Sequence, residues 1–318
     1  MQIPPNKHSK GQVALSYDES VPLVLKRIFL SLLDAMCSNE SGVKEQINSE
    51  FLHDYRVAVR RTRSLLSQLK KVIPPHKLQT FHDEYAWLST LTGPARDYDV
   101  MLLEFADYQA MLSDYDSADF LALRNYLQQQ RMPAYDRLSE ALQGNRYAEL
   151  KQRWRDFLES DDFVTGKGSQ YKIGKFVNKC IVRVYRDVLL EGKSITPTSP
   201  VEDFHQLRKS CKKLRYLMEI FRALYPASKV RALIKGLKNL QDDLGELQDL
   251  EAHIEILKNY LTQEIMNSDK SAGSREAVLQ LVDKMHTRKQ VIIENFHRKF
   301  NMFASKKNKK LYTELFRD

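Results

Sequence analysis

Two stretches of this 318-residue sequence contain no acidic residue, one from Asp54 to Asp83 and one from Asp203 to Glu219, end residues excluded. Cysteine is scarce as well. Cys37, Cys180 and Cys211 are odd in number, far apart and set among apolar positions of helical spacing, which speaks against a disulfide scaffold and for buried thiols in a reducing compartment. No run approaches the roughly 18 apolar residues of a membrane span, and the opening MQIPPNKHSKGQVALSYDES has no apolar core of signal-peptide length. No Cys/His cluster has zinc spacing, and His253 and Glu255 lie too far round a helix to share a metal. Gly166-Lys167-Gly168-Ser169 lacks the spacing and preceding strand of a phosphate loop. No serine stands out as an activated nucleophile. These absences predict a soluble cytoplasmic protein with no membrane segment, no metal and no cofactor.

What fills the acid-free stretches is positive charge in a helical pattern. HQLRKSCKKLRY, on a helix turning about 100° per residue, puts His205, Arg208, Lys212 and Arg215 on one face. Leu207, Cys211, Leu214, Leu217, Met218 and Phe221 make an apolar stripe opposite. HDYRVAVRRTRS, earlier in the chain, does the same with His53, Arg56, Arg60 and Arg63 against Tyr55, Ala58, Val59, Thr62, Leu65, Leu66 and Leu69. A solvated helix usually alternates signs, because opposite charges one turn apart help and like charges hurt by a few tenths of a kcal/mol. Two cations about 6 Å apart repel by roughly 0.7 kcal/mol in water and about 3 kcal/mol at an effective dielectric near 20. Two such faces set across a cleft therefore read as an anion site. Arginine suits phosphate, since its fork donates two parallel hydrogen bonds and stays charged. If the histidines are charged ligands, binding strengthens as pH falls toward about 6. On the helix starting at Ile173, Lys172, Lys179 and Arg183 share a face, with Arg27 the counterpart of Lys179; they would extend the row.

The two basic helices belong to a longer repeat. At one fixed offset of 152, His53 pairs with His205, Arg56 with Arg208, Arg63 with Arg215, Pro74 with Pro226, Gly93 with Gly245 and Asp97 with Asp249, while Arg60/Lys212, Arg61/Lys213 and Lys70/Arg222 keep the charge. Matches on charged, Gly and Pro positions have no explanation in shared hydrophobicity. The economical reading is an all-α fold of two similar four-helix-type bundles related by a pseudo-twofold and facing each other across a basic central groove. Residues 1–16 read as a loose arm, 17–160 as the first half, 161–170 as a joint, 171–304 as the second half and 305–318 as a basic tail. Helices are expected over about 17–37, 49–72 (stopped by Pro74-Pro75), 76–91 and from Pro94, with Gly93 a C-terminal cap. Breaks follow around Met132-Pro133 and Gly144-Asn145. In the second half they are expected from Ile173, over the second basic stretch to Pro226, then to about Gly245, over 246–266 and from Arg275 to Phe303. Asp97 and Asp249, just past a Gly turn, read as caps or holders of a neighbouring Arg rather than as bases or metal ligands.

HDYRVAVRRTRSLL with LTGPARDYDV, then HQLRKSCKKLRYL with LGELQDL, resemble the two halves of a CHAD domain, the conserved-histidine α-helical domain. The resemblance runs from about Val21 to the last helix. It implies a groove that binds inorganic polyphosphate through His53, Arg56, Arg60, Arg63, His205, Arg208, Lys212 and Arg215, with Arg61 and Lys213 in a second rank and polyphosphate granules as one place to find the protein. Gln248 stands where the first half has Arg96, which leaves that corner less complete. The Glu-x-Glu-x-Lys strand motif of the catalytic domain often fused to this one is absent from the sequence, which argues against built-in catalysis. Two alternatives stay open: a nucleic-acid-binding protein using the same charges, and a phosphate-transferring or hydrolysing enzyme using His53 or His205.

Overall fold

The computed structural model describes residues 14–112, 115, 117–266 and 272–317. The regular structure among them is helical: α1 (Val21–Lys44), α2 (Ser49–Leu66), α3 (Pro75–Leu91), α4 (Gly93–Leu103), α5 (Phe105–Ala110), α6 (Ser117–Gln143), α7 (Asn145–Glu159), α8 (Ile173–Ser194), α9 (Val201–Ile220), α10 (Ala227–Met266), α11 (Ala272–Phe303) and α12 (Lys306–Leu315). No helix among the described residues is long and apolar enough to cross a membrane. The arm at 1–16 falls largely outside the described residues, as does most of the loop expected after Met266.

Packing follows the repeat. α1 lies along α2 as α8 lies along α9, α2 against α3 as α9 against α10, and α4 against α6 as α10 against α11. Prominent contacts between the halves join counterparts: α1 to α8, α2 to α9, α4 to α10 and α6 to α11. Each half has an aromatic centre. In the first, Trp154 of α7 sits among Phe29, Phe81 and Tyr85. In the second, Tyr312 of α12 stacks on Tyr185 with ring centroids 3.8 Å apart. Burying side chains of this size contributes about 1.5–3 kcal/mol each.

Several expected boundaries moved, each for a local reason. α1 runs on past Asn39, whose buried amide donates to the Ala35 carbonyl at 2.8 Å, and turns only at Gln46, which takes the left-handed position at φ 53°. Gly42 lets α1 and α2 close up: a Cβ there would lie 2.2 Å from the Phe51 ring. Gly42→Ala is therefore expected to cost about 1–3 kcal/mol of stability, as overpacking does, read as a lower midpoint in urea unfolding. α2 ends at Leu66 rather than Val72, and the joint docks there, with Gly166 and Gly168 donating to the carbonyls of Val72 and Lys71 at 3.1 and 3.0 Å. A Cβ on Gly166 would meet the Lys71 carbonyl oxygen at 2.4 Å.

Gly93 is the first residue of α4 and not a left-handed cap, since no described glycine has positive φ. The chain breaks there because Pro94 has no N–H to continue α3. At the matching place Glu246 does have one, so α10 continues through Gly245 as a single 40-residue helix. α6 also runs through Pro133. One lost hydrogen bond there is offset by Leu127, Ala134, Tyr135, Leu138 and Leu142, all buried. The stretch 305–318, read as a tail, contains α12, capped by Ser305 accepting from the Asn308 amide, with Tyr312 and Phe316 buried.

Candidate functional site

α2 starts at Asn48, whose side chain accepts from the Glu50 amide at 2.9 Å, and sinks Tyr55, Ala58, Val59, Thr62, Leu65 and Leu66 into its own bundle. α9 starts after Pro200 with Glu202 and Asp203 in its first turn, which suits the positive end of a helix, and sinks Phe204, Leu207, Cys211, Leu214, Leu217 and Met218. The opposite faces meet, because α2 and α9 pack against each other. His53, Arg56, Arg60, Arg63, His205, Arg208, Lys212 and Arg215 are all half-buried, whereas Lys70 and Lys209, off those faces, are exposed. The four aromatic side chains on the two helices, Phe51, Tyr55, Phe204 and Tyr216, are all buried, so neither helix offers an exposed ring.

The middle of the site is held together against its own charge. Burial pushes the Lys212 ammonium down to about 6, with Arg208, Arg60 and Arg215 adding to the effect and Asp249 opposing it. Burial likewise lowers Arg56 to about 10, with Arg60 contributing, and lowers Arg208 and Arg63. The Nε atoms of Arg60, Arg63 and Arg208 are buried without a hydrogen-bond partner. Such buried donors are costly to leave unmatched.

Some partners are supplied from within. Arg56 Nη1 donates to Thr92 Oγ1 at 2.7 Å and to the Ser89 carbonyl at 3.4 Å, which ties α2 to the α3–α4 corner. Arg208 lies 3.7 Å from Asp249. Glu219 takes two arginines, Arg61 from the other half at 3.1 Å and Arg215 at 3.5 Å. Burial raises the Asp97 carboxyl, Arg56 pulls it back down and Asp249 pushes it up again. The two repeat-related acids thus meet near Arg56 and Arg208 as neighbours of arginine. Among the arginines and lysines of the two faces the carboxylates are Asp97, Asp249 and Glu219, with Glu50 and Asp54 beside His53.

The histidines differ. Burial lowers His53, and the Arg96 and Arg60 charges push it further. His205 Nδ1 is hydrogen-bonded to Gln248 Oε1, so the residue that looked like a gap in the second half orients its imidazole. Arg96, at the matching position, donates instead to the Ser49 carbonyl at 3.5 Å. Sequence reasoning missed both partners, although the fixed offset between Arg96 and Gln248 marked the place. It also missed Glu219, one helical turn past Arg215.

The outlying candidates do not all join the row. Arg27 gives its charge to Glu19 at 2.5 Å and does not extend it. Arg183 reaches from α8 to Gln68 Oε1 at 2.7 Å, just past the end of α2. Lys179 sits over the Tyr171 ring at 4.8 Å, Lys172 is exposed, and Lys213 is half-buried beside Lys212. No three His, Cys, Asp or Glu among the described residues are grouped so as to hold a metal ion.

Residues 27–258 match the family model of the CHAD domain. Among solved structures, the CHAD domain from the plant Ricinus communis is similar over 91% of this chain and 94% of its own, with a TM-score of 0.74 and 24% identity. PptA from Streptomyces chartreusis is similar over 89% of this chain and 100% of its own, with a TM-score of 0.69 and 13% identity. At those identities the likeness speaks for the fold. Comparison with curated proteins finds no match.

Proposed function

The chain belongs to the CHAD domain family, and from that premise we propose that it binds inorganic polyphosphate between α2 and α9 without altering it chemically. The observation that supports this most directly is the Arg60–Lys212–Arg208 cluster: repelling, half-buried cations with buried donors unmatched. A linear polyphosphate supplies a negative charge and acceptor oxygens at every repeat, and so relieves successive cations along the α2–α9 contact. Each charge-assisted hydrogen bond formed contributes about 1.5–3 kcal/mol. Nucleic acid carries the same charge, but the buried state of Phe51, Tyr55, Phe204 and Tyr216 leaves no ring on these helices for bases to stack on. An enzyme working through His53 or His205 would need a base, an acid or a metal beside them. His53 has Glu50 and Asp54 beside it as well as Arg96 and Arg60, His205 is hydrogen-bonded to Gln248, and no group of metal-ligating side chains is found among the described residues.

The test is fluorescence anisotropy of labelled long-chain polyphosphate. Affinity is expected to exceed that for orthophosphate by roughly 10²–10⁴ through multivalency, and to fall steeply with salt as counterion release is lost. RNA or DNA outcompeting polyphosphate at equal phosphate concentration would reverse the order of these readings. Polyphosphate turnover by the purified protein, lost in His205→Ala, would replace binding with catalysis.

A further inference from the structure

Away from the residues of the basic rows, α10, α11 and the start of α12 line a cleft of about 640 Å³, within the range of about 300–1,000 Å³ usual for small-molecule sites. The repeat says what is missing from it. α3 and α10 bury the same register, Phe81, Tyr85 and Leu88 in one and Leu233, Leu237 and Leu240 in the other. Glu84 and Gly236 therefore occupy equivalent places, as do Trp87 and Asn239.

In the first half those places are filled and mutually satisfied. Glu84 accepts from Arg146 at 3.0 Å and lies 3.3 Å from Arg153. The Arg146 guanidinium also stacks 4.1 Å from the Trp87 ring. In the second half the carboxylate and the indole are both gone, and a Cβ built on Gly236 meets nothing within 4 Å. Cations still line the space. Lys299 is paired with Asp243, but Arg298 and Lys307 have no carboxylate at ion-pair distance among the described residues. Asp242 is the acid on the lining, and Phe303 and Leu311 supply apolar surface.

We propose that this cleft binds a small aromatic carboxylate, its ring standing where the first half has Trp87 and its carboxylate where the first half has Glu84. The guanidinium of Arg298 then has both partners that Arg146 has, an aromatic face and an anion. The site is separate from the α2–α9 contact and does not depend on what binds there.

The test uses 2-naphthoate as probe, titrated into the full chain by calorimetry and ligand-observed NMR. Saturable one-site binding is expected, weakened at least about tenfold both in Gly236→Glu/Asn239→Trp, which restores the first half's side chains, and in Arg298→Ala. Should the double variant fail to fold, Arg298→Ala carries the test alone. Neutral 2-methylnaphthalene is expected not to compete. Absence of saturable binding, binding undiminished in Arg298→Ala, or equal binding of the neutral analogue would overturn the proposal. So would displacement by long-chain polyphosphate, which would move the probe to the basic rows.

Discussion

Arg60→Gln/Lys212→Gln is expected to bind long-chain polyphosphate roughly 10² to 10⁴ times more weakly than the wild type while melting at a higher temperature. The two residues are each other's counterparts in the repeat and face each other across α2 and α9, where Arg60 helps to depress Lys212. No carboxylate lies at ion-pair distance from either among the described residues, in contrast to Arg61, Arg208 and Arg215. Removing them breaks no internal ion pair, and it takes away two ligand contacts of about 1.5–3 kcal/mol each. At neutral pH it also relieves the folded protein of a lysine that burial, Arg208 and Arg60 force to give up its proton, which raises the melting temperature at low salt. The opposite signs are the point of the experiment. If the cluster served only to hold the halves together, affinity and melting temperature would fall together. Arg56→Ala is a poorer probe, because it also cuts the tie to Thr92 and Ser89.

The fold and the main rows were legible because they are written at helical spacing. His53 to Arg63 and His205 to Arg215 each fall on one face, and the fixed offset carried that face from one half to the other. What stayed hidden depended on contacts between elements distant in sequence. Nothing local says that Glu219 takes Arg61 from the other half, or that Arg27 is spent on Glu19. The break expected at Gly245 failed because glycine alone costs a helix only about 1 kcal/mol, whereas the true breaker in the first half is Pro94. α12 was obscured by its lysines. Leu311, Tyr312, Leu315 and Phe316 keep helical spacing beneath them, and Tyr312 and Phe316 close the second half's core.

The pH dependence of binding is expected to belong to Lys212 rather than to His53. In the free protein its ammonium is pushed down to about 6 by burial first and then by Arg208, Arg60 and Arg215, against the pull of Asp249. At pH 7–8 it is therefore mostly neutral, and a phosphate drawn alongside restores its proton. Binding takes up that proton, so affinity rises as pH falls from 8 toward about 6, by up to about tenfold per pH unit. Below about 6 the free protein already carries the proton and the dependence levels off. His53 works in the same direction, with burial first and then Arg96 and Arg60 holding it below the ordinary imidazole value. Stability of the free protein follows the opposite course. The unfolded chain holds the lysine proton up to about 10.5 and the folded chain releases it near 6, so the folded state loses stability as pH falls across that window. Calorimetry in buffers of different ionisation enthalpy should show close to one proton taken up per site at pH 7.5. Lys212→Arg, which stays charged throughout, should bind more tightly at pH 8 and lose most of the slope. If the slope survives in Lys212→Arg and disappears in His53→Gln, the imidazole is the coupled group and the lysine is charged before the anion arrives.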